Sequence, residues 1–135
     1  MRTYRLRLQD MGITRYRYDE LRAYCCQYPD KRAAADALAD VKSAWSTDGA
    51  GGGAANGSPV ERAVIKREQL VRDCELIEQA AMQVDGGKWY TALLLNCCYG
   101  KPYSRLEPEM LPSSRREAYF AARRKFFIAL DALKN

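Results

Sequence analysis

From Pro112 to Leu133 the chain reads P-S-S-R-R-E-A-Y-F-A-A-R-R-K-F-F-I-A-L-D-A-L, and no other stretch constrains the fold as strongly. Tyr119, Ala122, Phe126, Leu130 and Leu133 recur at steps of three or four, the spacing that aligns side chains along one side of an α-helix. Ser113 or Ser114 is placed to cap the orphaned N–H groups at its start, and Pro112 punctuates the turn before it. Arg115, Arg116, Arg123, Arg124 and Lys125 lie largely off the apolar stripe. A helix packed through one side and lined with arginine on another suits a DNA major groove, where guanidinium forks reach guanine edges and phosphates. The same cationic flank also fits a plain solvated face.

Other segments carry the same helical spacing. Thr14 to Tyr28 has Tyr18, Leu21, Cys25 and Tyr28 in register, with Pro29 stopping or redirecting the chain. Asp30 to Trp45 places Ala34, Leu38, Val41 and Trp45 on one face, so the two segments predict an N-terminal helical hairpin. Pro59, with Ser58 as cap, opens the longest helix, to about residue 84. Leu70, Cys74, Ile77, Ala81 and Val84 line it, and Asp85-Gly86-Gly87 closes it. Its spacing also fits a coiled coil, but the pattern lasts little more than two heptads, short of what would argue for one. A further short helix spans Trp89 to Tyr99, ending near Gly100. Pro102 to Met110 predicts another, anchored by Leu106, unless Pro108 breaks it or opens a new short turn. Leu111 to Ser114 then bends into the arginine-rich helix, the order of a helix-turn-helix. Tyr4 to Leu8 alternates as a strand does, over only five residues.

One stretch has no periodic apolar face: Ser46 to Pro59, S-T-D-G-A-G-G-G-A-A-N-G-S-P, which reads as a flexible linker. As a Gly-rich coil its length spans roughly 20 Å root mean square. The expected fold class is therefore all-α. Residues 1–45 hold a basic N-terminal arm and the helical hairpin, 46–59 the Gly-rich linker, and 60–135 a helical unit with a helix-turn-helix-like end.

Charge reinforces the nucleic-acid reading. The 135 residues hold 22 Lys and Arg against 17 Asp and Glu, a formal net charge of +5. Residues 1–32 carry eight basic and four acidic side chains, 33–100 six and nine, and 101–135 eight and four. Two cationic ends attract a polyanion, though charge alone confers no specificity. Catalysis is not expected. The chain has no histidine, no Ser-His or Cys-His pairing and no Walker-type loop, and Gly51-Gly52-Gly53 lacks the strand-to-helix setting of a phosphate loop. Five cysteines, odd in number and including the adjacent pairs Cys25-Cys26 and Cys97-Cys98, fit neither a disulfide framework nor a zinc site. They read as buried reduced thiols of a cytoplasmic protein, with no cofactor or metal. The N-terminus lacks a secretory apolar core, and no apolar run is long enough for a bilayer.

E-L-R-A-Y-C-C-Q-Y-P at Glu20–Pro29, K-R-E-Q-L…I-E-Q-A-A between Lys66 and Ala81, and P-S-S…Y…R-R-K-F-F…L from Pro112 to Leu130 occur in this order. Together they make the chain resemble the ArpU-type transcriptional regulators of phages and prophages of Gram-positive bacteria. The resemblance implies a helical protein in a bacterial host cytoplasm, with a C-terminal region like the fourth region of sigma factors, acting on phage gene expression. It carries Arg123, Arg124 and Lys125 over as candidate DNA contacts, with Phe126 and Phe127 as packing. The reading is a DNA-binding regulator that uses Arg115, Arg116, Arg123 and Arg124 on bases or phosphates, with Lys125 and Arg105 on the backbone. The alternative is a protein-interaction module binding host RNA polymerase or a host defence complex. Its support is Tyr16, Tyr18, Tyr24 and Tyr28 interspersed with Arg15, Arg17 and Arg22, residue types common at interface hot spots. Tyr18 and Tyr28 equally suit internal packing.

Overall fold

The computed structural model describes residues 12–48 and 59–135, with side chains for all of these except 40–48. Among the described residues the regular elements are helical, and no strand occurs. They are α1 (Arg15–Cys26), α2 (Tyr28–Asp48), α3 (Pro59–Gln83), α4 (Tyr90–Leu93), which widens into a π-helical turn at Leu94–Cys98, and α5 (Arg116–Lys134). Short 3-10 turns lie at Val84–Gly87, Tyr103–Arg105 and Pro108–Met110. The basic N-terminal arm with Tyr4–Leu8, and residues 49–58 of the expected linker, fall outside the described residues.

Local chemistry accounts for the element boundaries. Thr14 caps α1, its Oγ1 accepting the Arg17 N–H at 3.1 Å, and satisfies one of the donors that a helix start leaves open. Pro29 sits in the first turn of α2, where its missing N–H is not needed, and Asp30 beside it favours the positive end of the helix. The second helix thus starts before Asp30, and it continues through Ser46–Asp48, residues assigned to the linker on composition. Pro59 opens α3 as its position predicts. The chain then leaves α3 through Asp85 (φ 48°), Gly86 (φ 72°) and Gly87 (φ 88°), three successive left-handed residues that end the helix.

The helix expected over Pro102–Met110 does not form. Proline disfavours the α conformation in the residue before it, and Glu107 before Pro108 is extended (ψ 140°), as is Leu106 (ψ 137°). Only a 3-10 turn fits between Pro102 and that extended pair, and Pro108 begins a second one. Residues 99–115 therefore contain no α-helix, and α5 has no preceding helix across a tight turn: the expected helix-turn-helix arrangement is absent here. The expected serine cap on α5 is also replaced. Arg115 occupies the cap position without a side-chain bond, and Ser113 Oγ accepts the Arg115 N–H at 3.2 Å just outside the helix.

The chain groups into two compact units, whose boundaries fall after Tyr28 and before Leu76 and not near residues 45 and 60. In the unit drawn from Pro29–Glu75, Lys31 Nζ meets Asp73 Oδ2 at 2.9 Å and Arg67 Nε donates to the Ala35 carbonyl at 3.1 Å, tying the two helical segments together. Ala35 is buried, with Ala34 and Leu38 half-buried; Val41 and Trp45 lie where side chains are not described.

The other unit holds α1, the end of α3, α4 and α5. Its core gathers Leu21 and Cys25 from α1, Ile77, Ala81 and Val84 after the α3 stripe, Leu93 and Cys97, and Tyr119, Ala122, Phe126, Phe127 and Leu130 from α5. Tyr28 belongs here, its hydroxyl donating to Glu78 Oε2 at 2.6 Å and its ring set edge-on to Tyr99. Because Phe126 is fully enclosed, Phe126→Ala is expected to destabilise this unit by about 3–5 kcal/mol through lost transfer energy and a residual cavity. Ile128→Ala, on the outer side of the same helix, should change stability by no more than about 0.5 kcal/mol. Urea midpoints of the two variants check this, and equal shifts would contradict the orientation of α5.

Candidate nucleic-acid interface

The apolar sector of α5 is wider than the stripe read from sequence. At about 100° per residue, Phe127 lies about 80° round the helix from Tyr119, and Arg123 projects between Leu130 and Phe127, inside the buried arc. Its guanidinium carbon lies 5.9 Å from the Tyr18 ring centroid and 5.1 Å from that of Phe127. Nη1 donates to the Tyr18 hydroxyl at 2.8 Å, while Nε is buried with no hydrogen-bond partner. Arg123, expected to face DNA, is therefore committed to the interior of the unit. The Tyr18 ring meets Phe127 edge-on at 5.1 Å, so the cation joins α1 to α5.

Arg116 repeats that arrangement one heptad earlier. Its guanidinium carbon stands 4.9 Å from the Phe120 centroid and 5.2 Å from that of Tyr103, just as Arg123 stands between Phe127 and Tyr18. The two cages correspond to R-E-A-Y-F and R-R-K-F-F in the sequence. The outer cage differs in one respect. Arg116 is exposed and makes no hydrogen bond or ion pair among the described residues. Tyr103 is held by neighbouring rings, 5.3 Å from Tyr119 and 5.6 Å from Phe120.

The remaining expected contacts divide by what they already touch. Lys125 Nζ meets Asp85 Oδ1 at 2.9 Å, and Trp89 Nε1 donates to Asp85 Oδ2 at 3.0 Å. The Lys125 hydrogen bond is the main cause that holds the Asp85 carboxyl below its ordinary range, so part of the Lys125 charge is answered within the protein. Arg115 is exposed, 3.8 Å from an equally exposed Glu117, a spacing and setting that contribute little. Arg105 is exposed on the 3-10 turn and Arg124 half-exposed on α5, neither with an ion-pair partner among the described residues. Arg105, Arg115, Arg116 and Arg124 remain as cations available to an anion. The tyrosine–arginine surface of α1 is reduced in the same way. Arg17 Nε meets Asp131 at 2.6 Å, and Lys134 Nζ stands 3.9 Å from the Tyr24 ring centroid. Tyr16 stays 84% exposed.

Sequence reasoning passed over the polar support of this region. Tyr119, fully buried, donates its hydroxyl to Asn96 Oδ1 at 2.7 Å, and Asn96 Nδ2 donates to the Lys101 carbonyl at 2.9 Å. The signal was present as a lone asparagine in the apolar run Trp89–Cys98, where an amide needs partners. Beside it, burial raises the Cys97 thiol to about 11, against the pull of the nearby Arg123 cation. A hydrogen bond with Cys25, then burial, raises Cys98, and burial raises Tyr119. Cys25, Cys74, Cys97 and Cys98 are buried, Cys26 is exposed, and all five are free thiols. Among the described residues no cluster of His, Cys, Asp or Glu is arranged to hold a metal ion.

Arg123→Ala is expected to destabilise the protein by about 1–3 kcal/mol, since it leaves the Tyr18 hydroxyl and the Phe127 face without their partner; Arg124→Ala should stay near zero. Denaturant midpoints distinguish the two. The thiols predict a pH dependence. An unfolded thiol ionises near its ordinary value of 9.0, whereas folded Cys97 stays protonated to about 11, so the unfolded state loses protons first. The thiol contribution to stability should therefore be fully present below about pH 9 and fall away between 9 and 11, with Cys97 contributing on the order of 2 kcal/mol. A smaller fall in Cys97→Ala supports this assignment, and an unchanged fall contradicts it. Cys26 should react first with a thiol reagent in the folded protein, with Cys74 and Cys97 reacting only on unfolding.

No protein-family model, curated protein or solved structure matches the chain.

Proposed function

We propose that this protein is a DNA-binding regulator that meets the duplex through the N-terminal half of α5 and the turns before it. The reading rests on its resemblance to ArpU-type phage regulators and on one observation. Arg105, Arg115 and Arg116 are exposed and Arg124 half-exposed on one unit, with at most the distant Glu117 to answer them among the described residues. Unanswered arginines gain from releasing counterions from phosphates. No catalytic group is required. Arg123 acts inside the unit, holding α5 against α1, and Lys125 contributes through whatever charge Asp85 leaves it. The missing helix before α5 limits the resemblance to groove reading by α5 itself, supported by the 3-10 turns of residues 103–110. No helix among the described residues is long and apolar enough to cross a membrane.

Titration of a duplex from the protein's own genetic neighbourhood, and of a scrambled duplex of equal length, at two salt concentrations tests this reading. Affinity should fall steeply with salt for both duplexes, and each of Arg105→Ala and Arg124→Ala should reduce the salt slope by about one. Binding to a host protein that persists at high salt, with neither arginine mattering, would replace this reading with the interaction module.

A further inference from the structure

We infer that Arg116 is the base-reading residue of α5 and that its ligand is the major-groove edge of a guanine. This inference rests on the DNA-binding reading above. It follows from the paired cages. In the inner one, the Arg123 guanidinium lies between Tyr18 and Phe127 and its Nη1 is answered by the Tyr18 hydroxyl at 2.8 Å. In the outer one, the Arg116 guanidinium lies against Tyr103 and Phe120 at 5.2 and 4.9 Å, and no acceptor is supplied from the described residues. Two aromatic rings hold the group in place while its donors stay unanswered.

That combination favours a base over a phosphate. Any mobile arginine can follow a phosphate, whose position carries no sequence information. Telling one base edge from another needs a fork fixed in place, because the guanine N7 and O6 acceptors match a guanidinium only when the two are nearly coplanar. Ring contacts on Arg116 remove much of the side-chain freedom that binding would otherwise have to restrict. Arg105, Arg115 and Arg124 make no ring contact of this kind among the described residues, which suits them to phosphates. Position agrees, since Arg116 is the first residue of α5 and groove-reading helices contact bases through their N-terminal residues.

The probe is a pool of random 20-base-pair duplexes, from which the wild-type chain, Arg116→Ala and Tyr103→Leu each select bound sequences. Wild type should enrich a guanine at one fixed position. Replacing that guanine by 7-deazaguanine, which lacks the N7 acceptor, should weaken wild-type binding on the order of tenfold. Arg116→Ala should bind the guanine and 7-deazaguanine duplexes equally, and Tyr103→Leu, which opens the cage and keeps the arginine, should show a reduced preference. Circular dichroism verifies that both variants remain helical. If Arg116→Ala weakens both duplexes alike and lowers the salt slope by about one, Arg116 is a phosphate contact and the inference fails while DNA binding stands. A guanine preference undiminished in Arg116→Ala overturns it as well. If wild type binds no duplex at low salt, this inference and the DNA-binding reading fall together.

Discussion

Burial of the broad apolar arc of α5 is the constraint on which the candidate interface depends. Tyr119, Ala122, Phe126, Phe127 and Leu130 are all within a few per cent of full enclosure, so the helix has one rotation about its axis that hides them. That rotation separates the three consecutive cations at positions 123–125. Arg123 falls inside the arc and must find a way to remain charged there. Arg124 and Lys125, one and two residues on, are carried out of it. A half-buried guanidinium without a carboxylate still costs energy unless it is hydrogen-bonded and packed, and the Tyr18 hydroxyl with two aromatic faces meets part of that need. Replacement of Phe127 by a polar residue would therefore disturb the setting of Arg123 as well as the core.

Much of the helical framework was legible because apolar spacing is a local signal. Cys74, Ile77, Ala81 and Val84 are buried as their steps of three and four require, and so are Tyr119, Ala122, Phe126 and Leu130. The failures each have a local cause. Arg123 was misjudged because Phe127 was left out of the stripe; with it included, the arc already contains position 123. Over Pro102–Met110 the alternative left open, that Pro108 begins a new short turn, is the one the chain takes. Ser46–Asp48 were assigned to a linker from their neighbours' composition, yet they continue α2. The pairings of Asn96 with Tyr119, Asp85 with Lys125 and Arg17 with Asp131 join residues far apart in the chain. Spacing within one helix could not reveal them.

The distribution of carboxylates matters as much as that of arginines. Asp85 answers Lys125 and Trp89, Asp131 answers Arg17, and Glu78 accepts from Tyr28. These acids lie along α3, its closing turn and the far end of α5. The first turns of α5 and the loop before it hold Glu107, Glu109 and Glu117, all exposed, and none closer to an arginine than the 3.8 Å between Arg115 and Glu117 among the described residues. The surface before and at the start of α5 is therefore one of interspersed charges, where the arginines are set apart from these glutamates by their positions and not by a large local excess. Long-range attraction follows the local field more than the total.

The π-helical turn at Leu94–Cys98 explains how this surface keeps its shape without a helix in front of α5. A π turn admits an extra residue within a helical turn and re-aims the side chains after it. Here the Tyr99 N–H bonds the Leu94 carbonyl at 3.1 Å and the Lys101 N–H bonds the Leu95 carbonyl at 2.9 Å, the chain closing through Gly100 at φ 73°. Asn96 then faces Tyr119 on one side and the Lys101 carbonyl on the other. One amide thereby fixes both the first buried ring of α5 and the point from which residues 102–106 depart. Tyr103 leaves that point within two residues and packs on Tyr119 and Phe120, which places it under Arg116. Loss of the Asn96 amide should loosen Tyr103 before it disturbs the apolar core, because the rings of Phe126 and Phe127 are held by other contacts.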